Sequence, residues 1–519
     1  MSRPARDASG TLPRAVTDER DGRDGRGGRM PRAKAADQGA FSVVHLTAEY
    51  WPFAQAGGLA EAVRGLGEFQ ATGRNVYVIL PLYRSIREAN DLVPVTDEFK
   101  VPLGAKEEPA RLFQLAKPPR GPRVLFLEHQ GFFDRAGIYG DSGADYPDNG
   151  RRWAFFCRAA LEALPRIVTG PAVLHAHDWH AALSAVYLRT VLAGQPFYDS
   201  LGTVLTVHNA GFHGHFPEAM IPGVGLPAKL YDWRWMEWYG RANWLKGGLS
   251  FADIVTTVSP THAVELRSDV GGFGLHDLFV GLGERLVGIL NGIDQGLWDP
   301  ETDPQITANY TAKDTAAKAR CKTAAQRGFG LPLRAGVPLF AMSSRLVAQK
   351  GLDLLIHGAA FFERDLQLVI LGEGEQRYRV ALTTLAEQLP EQLSVEFNFH
   401  DRLEHRLMAG ADLLLMPSLY EPCGLTQMRA MRYGTIPVAR SVGGLADTIR
   451  DGVNGFLFDL NTPAALDAAV ARALRAYKTK ARWKGYMKEG MRCDYGWEQS
   501  AGRYLEVYRQ AMAAHVSAR

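Results

Sequence analysis

The chain reads as an α/β fold of two doubly wound, parallel-sheet halves facing a central cleft, and three observations carry that reading. From Phe41 onward, short runs rich in Val, Ile and Leu alternate with longer segments whose apolar residues recur at helical spacing. The short runs are apolar throughout, as in parallel strands covered on both faces. They also come in two series, separated by the turn-rich segment NGIDQGLWDP at 291–300. Strands are expected at 42–47, 76–80, 124–127, 173–177, 203–208 and 254–259 in the first half. In the second they are expected at 339–343, 368–371, 395–399, 413–417, 436–439 and 456–458. In such sheets ligands bind beyond the carboxyl ends of the strands, so the functional residues are sought there.

The 519 residues exceed a single ordinary core, and the composition, 46% hydrophobic and 22% charged, is that of a soluble globular protein. The net charge of +3 comes from one end. Residues 1–38 hold nine of the 59 basic and six of the 56 acidic residues, which leaves the body balanced at 50 of each. A balanced body offers no bulk attraction for nucleic acid. The Arg- and Gly-rich tail lacks the apolar stretch of a secretory signal or membrane span, and it reads as disordered, with Met30 as an alternative start. Cys157, Cys321, Cys423 and Cys493 are far apart and form no CxxC pair, which points to a reducing cytoplasm and to neither a disulfide framework nor a zinc site.

Each half ends its strands in residues able to carry chemistry. The first expected strand runs into AEYWPFAQAGGLA at 48–60, where Gly57 and Gly58 let backbone approach a ligand or simply make a tight turn. HAHDWH at 175–180 and TVHNA at 206–210 place Asp178, His208 and neighbouring histidines at strand ends. The rings are either ordinary hydrogen-bonded histidines or, like Asp178, holders of hydroxyl groups. Their spacing is not that of a zinc site, and no metal is expected. In the second half, Arg345 and Lys350 flank one turn of SSRLVAQKGL, suited either to a diphosphate or to solvent. Glu421 stands in MPSLYEPCGLTQ, beside a Pro/Gly turn. A carboxylate there suits sugar hydroxyls, and the N–H groups after Gly424 suit a phosphate. Gly443 and Gly444 repeat the glycine-loop theme.

Taken together, HAHDWHAAL, TVHNAGFHG, TTVSPTHA, LNGIDQGLWDPETD, SSRLVAQKGLDLL, MPSLYEPCGLTQM and GTIPVARSVGGLADT resemble the bacterial glycogen synthase and plant starch synthase family in order and spacing. The resemblance implies a GT-B fold of two Rossmann-like domains, at 39–292 and 293–490, with a helical segment at 491–519 packing back on the first. It implies a retaining glucosyltransferase that takes a nucleotide sugar, ADP-glucose or UDP-glucose, and an α-glucan acceptor, without metal, cofactor, nucleic acid or membrane. By the same resemblance Arg345 and Lys350 hold the diphosphate, Glu421 the glucose hydroxyls, and Asp178 and His208 the transferred glucose near the reacting carbon. Gly57, Gly58, Cys423, Gly424, Leu425 and Thr426 would line the donor site, Asn291 the hinge side, and Phe399 and His400 the base. The leaving phosphate is implied to help deprotonate the acceptor on the same face.

One position departs from the family. Its first glycine loop carries a lysine where this chain has Gln55, and its following Asp is Glu61 here. A neutral amide cannot neutralise a phosphate, and a charge-assisted bond is roughly twice as strong as a neutral one. Two other readings follow from that change: a glucan-binding or priming relative without activity, and a transferase for a different nucleotide sugar.

Overall fold

The structure, a computed structural model, describes residues 41–141 and 143–517; the tail over 1–38 lies outside the described residues. Seven parallel strands form the centre of the first sheet. Their order is Leu286–Gly288, Ile254–Thr257, Leu201–Val207, Ala172–His177, Ser42–Leu46, Val76–Pro81 and Arg123–Glu128. Val43, Val44 and Leu46 are fully buried, as a central strand between two helical layers requires. The sheet then continues antiparallel through Lys106–Leu115 to Leu92–Pro94, with Phe99–Leu103 paired to Lys106–Leu115. That extension was not expected from sequence. Its strands alternate buried and exposed residues or carry charge, as in KEEPARLFQL, because one face meets solvent.

The second sheet has six parallel strands in the order Leu393–Glu396, Gln367–Leu371, Leu339–Ser343, Leu413–Met416, Ile436–Arg440 and Phe456–Phe458. The expected strand at 395–399 sits earlier, because the Glu396 side chain accepts a bond from the Asn398 amide and turns the chain away. Apolar clusters cover both faces of this sheet.

The last helix, Trp497–Ser517, returns to the first sheet. It lies along Leu201–Val207 and the helix Leu59–Ala71, burying Trp497, Tyr504, Tyr508 and Ala511 against Val43, Val173 and Val204. A side chain at Gly65 or Gly292 would collide with the Trp497 ring, so both positions need glycine for this close approach. The halves also meet directly. Val258, Ile293, Cys423 and Met428 form one small apolar cluster, and the Ser259 hydroxyl donates to the Pro422 carbonyl at 2.6 Å. Thr261 donates from its amide and hydroxyl to Asp447, and the Gly443 amide donates to Glu265. Among the described residues, no helix is long and apolar enough to cross a membrane.

Candidate active site

On the first side of the cleft, the strand Ala172–His177 passes straight into the helix Asp178–Thr190. The joint forces Asp178 into left-handed backbone, φ 56°, a conformation that costs a non-glycine residue on the order of 1 kcal/mol or more. What holds it is its own carboxylate, which accepts the amides of His208 at 2.7 Å and Asn209 at 3.4 Å. Two strand ends are thereby tied together. Burial raises the Asp178 carboxyl to about 7, despite those two donors, and lowers His208 to about 3. His208 therefore presents a neutral ring.

The sequence placed the histidines of HAHDWH together at the cleft edge, and the structure corrects this. His175 and His177 lie within the strand on one face, two residues apart, and both rings are buried. His180 is buried among Tyr139, Trp153 and Trp179. The HxH spacing itself signals a shared strand face, and His45 on the neighbouring strand completes a three-ring cluster that no local pattern announces. Both nitrogens of each of these three rings have protein partners.

On the opposite side, Lys350 and Glu421 form an ion pair at 2.6 Å, with the Ser418 hydroxyl donating to the same carboxylate oxygen at 3.0 Å. Both groups are largely buried. Arg345, which follows the strand Leu339–Ser343, is exposed and has no carboxylate partner among the described residues. The turn after Glu421 is fixed by Gly424 at φ 69°, where a side chain would strike Gln427, and Thr426 opens the next helix. Burial pushes the Cys423 thiol up to about 12, so it is a packing group, and the Asn291 amide donates to its sulfur. Tyr420 crosses the cleft. Its ring packs edge-on against Phe273, and its hydroxyl bonds the Asn209 side chain. Phe399 and His400 are exposed at the start of the helix Asp401–Gly410.

The glycine loop holds a group that sequence reasoning passed over. Glu49 accepts the amides of Ala56 at 2.7 Å and Gly57 at 2.9 Å, while the Tyr139 hydroxyl donates to its other oxygen at 2.5 Å. An internal carboxylate thus occupies amides that the motif seemed to offer to a phosphate. Glu49 lies in the quoted loop, but Tyr139, 90 residues on, leaves no local trace. The loop tip comes close to the second half, with Leu425 within van der Waals reach of a side chain at Gly58. Gln55 is exposed and donates to Glu61 at 3.3 Å, and Glu61 pairs with Arg429 across the cleft. Arg429 also contacts Glu404 and stacks on Trp298, and burial lowers it to about 10.

This constellation can be set beside known proteins. A family model of the starch synthase catalytic domain matches residues 42–280, and one of group 1 glycosyl transferases matches 329–490. The glycogen synthase of Syntrophotalea carbinolica is 42% identical over 485 residues, covering 91% of this chain and 99% of that protein. The chain belongs to the glycogen synthase family. Glycogen synthase 2 of Geobacter sulfurreducens, 40% identical, covers 90% of this chain and 98% of its own. The catalytic domain of starch synthase IV from Arabidopsis thaliana, solved with ADP and acarbose, superposes with a TM-score of 0.84 at 32% identity, over 92% of this chain and all of that one. As a member of this family the protein is a glycosyltransferase of GT-B fold.

Proposed function

We propose that this protein transfers glucose from ADP-glucose, with retention, to the non-reducing end of an α-1,4-glucan. The observation that carries the reading is the Lys350–Glu421 pair, standing with the unpaired Arg345 on one wall of the cleft while Asp178 and His208 stand on the other. A cation beside a sugar-binding carboxylate is what a nucleotide diphosphate sugar needs at the bond that breaks. In this reading Arg345 and Lys350 take the charge growing on the departing diphosphate, and Glu421 and Asp178 accept glucose hydroxyls. Gly57, Gly58, Asn291, Cys423, Gly424, Leu425 and Thr426 shape the donor pocket, and Phe399 and His400 border the base. The bond between the glucose C1 and the phosphate oxygen breaks as the acceptor hydroxyl bonds to C1 on the same face, and its proton passes to the departing phosphate. Catalysis is positioning plus electrostatics.

The ADP bound to the Arabidopsis starch synthase supports adenine as the donor base, and its acarbose supports a glucan-like acceptor. The balanced charge of the body and its separated cysteines support a cytoplasmic site of action away from nucleic acid and membranes. The test is incorporation of labelled glucose into glycogen from ADP-glucose and UDP-glucose in parallel, without added metal. Transfer from ADP-glucose is expected. Transfer from UDP-glucose alone would overturn the donor, and none from either would overturn the activity.

A further inference from the structure

A line of hydrogen bonds runs from the last helix to the cleft. Gln70 Nε2 donates to the Tyr508 hydroxyl at 2.9 Å, and Gln70 Oε1 meets His45 Nε2 at 2.9 Å. His45 Nδ1 meets His177 Nε2 at 3.0 Å, and His177 Nδ1 meets His208 Nε2 at 3.0 Å. His45 and His177 are fully buried, and Gln70 nearly so. Burial lowers His45 to about 4 and His177 well below the usual range, so each ring is neutral, with one donor nitrogen and one acceptor.

In such a line each bond dictates the next. An amide oxygen only accepts, so His45 Nε2 carries the proton and its Nδ1 accepts. His177 Nε2 must then donate and its Nδ1 accept. His208 Nε2 must donate in turn, which leaves His208 Nδ1 as a lone pair. That nitrogen has no protein partner among the described residues and is not sealed in the core. The Gln70 amide donates to the Tyr508 hydroxyl, which also bonds His175 Nδ1 at 2.8 Å. His175 Nε2 in turn meets the Thr206 hydroxyl at 2.6 Å, so the second branch closes on the strand that ends at His208.

We infer that Gln70, His45 and His177 are positioning residues that fix the proton of His208 on Nε2, so that its Nδ1 meets the donor glucose as a hydrogen-bond acceptor. The inference rests on the proposed function only for what His208 touches; the tautomer is a property of the protein alone. Reversing the Gln70 amide would reverse every bond in the line and turn His208 into a donor toward the sugar. The wire therefore has two polarities, and the orientation of the Gln70 amide, with Nε2 toward Tyr508, holds one.

The first test needs no variant. Nitrogen NMR of the full chain labelled at histidine, with His208→Ala to assign the signal, is expected to show His208 protonated at Nε2; protonation at Nδ1 would overturn the inference. Kinetically, Gln70→Met should lower kcat about tenfold with KM for acceptor unchanged, the scale of one misdirected hydrogen bond. Gln70→Glu, which can accept from His45 but not donate to it, should restore kcat to within about twofold. In a His208→Ala background Gln70→Met should cost nothing further; the same tenfold loss there would mean Gln70 acts independently of His208 and would sink the relay. Full activity of His208→Ala alongside the expected tautomer would instead remove His208 from the proposed site and leave the wire intact.

Discussion

The two halves of the molecule share one architecture and put opposite electrostatics at the same place. In the first, burial strips charge from the histidines near the strand ends, His45, His175, His177 and His208, and raises the carboxyl of Asp178 toward neutrality. In the second, the strands end in a cation beside an anion, Lys350 against Glu421, with Arg345 open to solvent nearby. The contrast shows how one fold divides a transfer reaction. A wall of charge suits the diphosphate that departs, and a wall of neutral acceptors suits the sugar that moves.

Breaking the charged wall should have the largest effect. Glu421→Ala and Lys350→Ala are each expected to lower kcat about a thousandfold, comparable with the loss of a principal electrostatic group in other enzymes. Circular dichroism should show an unchanged fold, and turnover within tenfold of the parent in either variant would dissolve the assignment. On the neutral wall the expected cost is smaller and depends on pH. If ionised Asp178 accepts the glucose hydroxyl, the rate should rise with pH through about 7, where its raised carboxyl ionises. Asp178→Asn should then lower kcat about a hundredfold and flatten that limb, and a limb that survives the substitution would belong to another group.

These buried rings add a stability signature to the first half. Their folded-state pKa values are depressed, so their contribution is complete above about pH 6.5 and is lost as pH falls toward the lowered values. By pH 5 the ring of His45 alone withdraws about 2 kcal/mol. Calorimetry should show Tm falling by several degrees between pH 7 and 5, the several buried rings outweighing the opposite trend of the raised Asp178 carboxyl, and Tm unchanged over that range would contradict neutral burial. The smallest effect concerns the place where the walls touch. Gln55→Lys should tighten the donor Kd about three- to tenfold by restoring a cation to the loop. Because Gln55 donates to Glu61, which pairs with Arg429, a lysine could be captured by Glu61 instead. An unchanged Kd by titration calorimetry would identify that capture.

Most of the framework is legible in the sequence, because parallel strands covered on both faces must be apolar throughout, and runs such as Leu339–Ser343 and Leu413–Met416 announce themselves. The antiparallel extension hides because a half-exposed strand such as Lys106–Leu115 carries charge like a loop. For the site, residue types at strand ends named Asp178, His208, Lys350 and Glu421, but not how they are held. The partner of Lys350 is 71 residues away, that of His45 132, and that of Gln70 438. Periodicity sees a few turns of chain, and these contacts exist only after the fold has formed.

The return of the helix Trp497–Ser517 to the first sheet sets the order in which the protein can be finished. A ribosome emits the first half long before Trp497, Tyr504 and Tyr508, so the groove over Gly65, Val173 and Val204 waits uncovered through synthesis of the entire second half. The wire anchored on Tyr508 waits with it. The nascent first half therefore reaches its final packing only after the second half has been made, and a gene cut between the two halves would encode a first half without its closing helix.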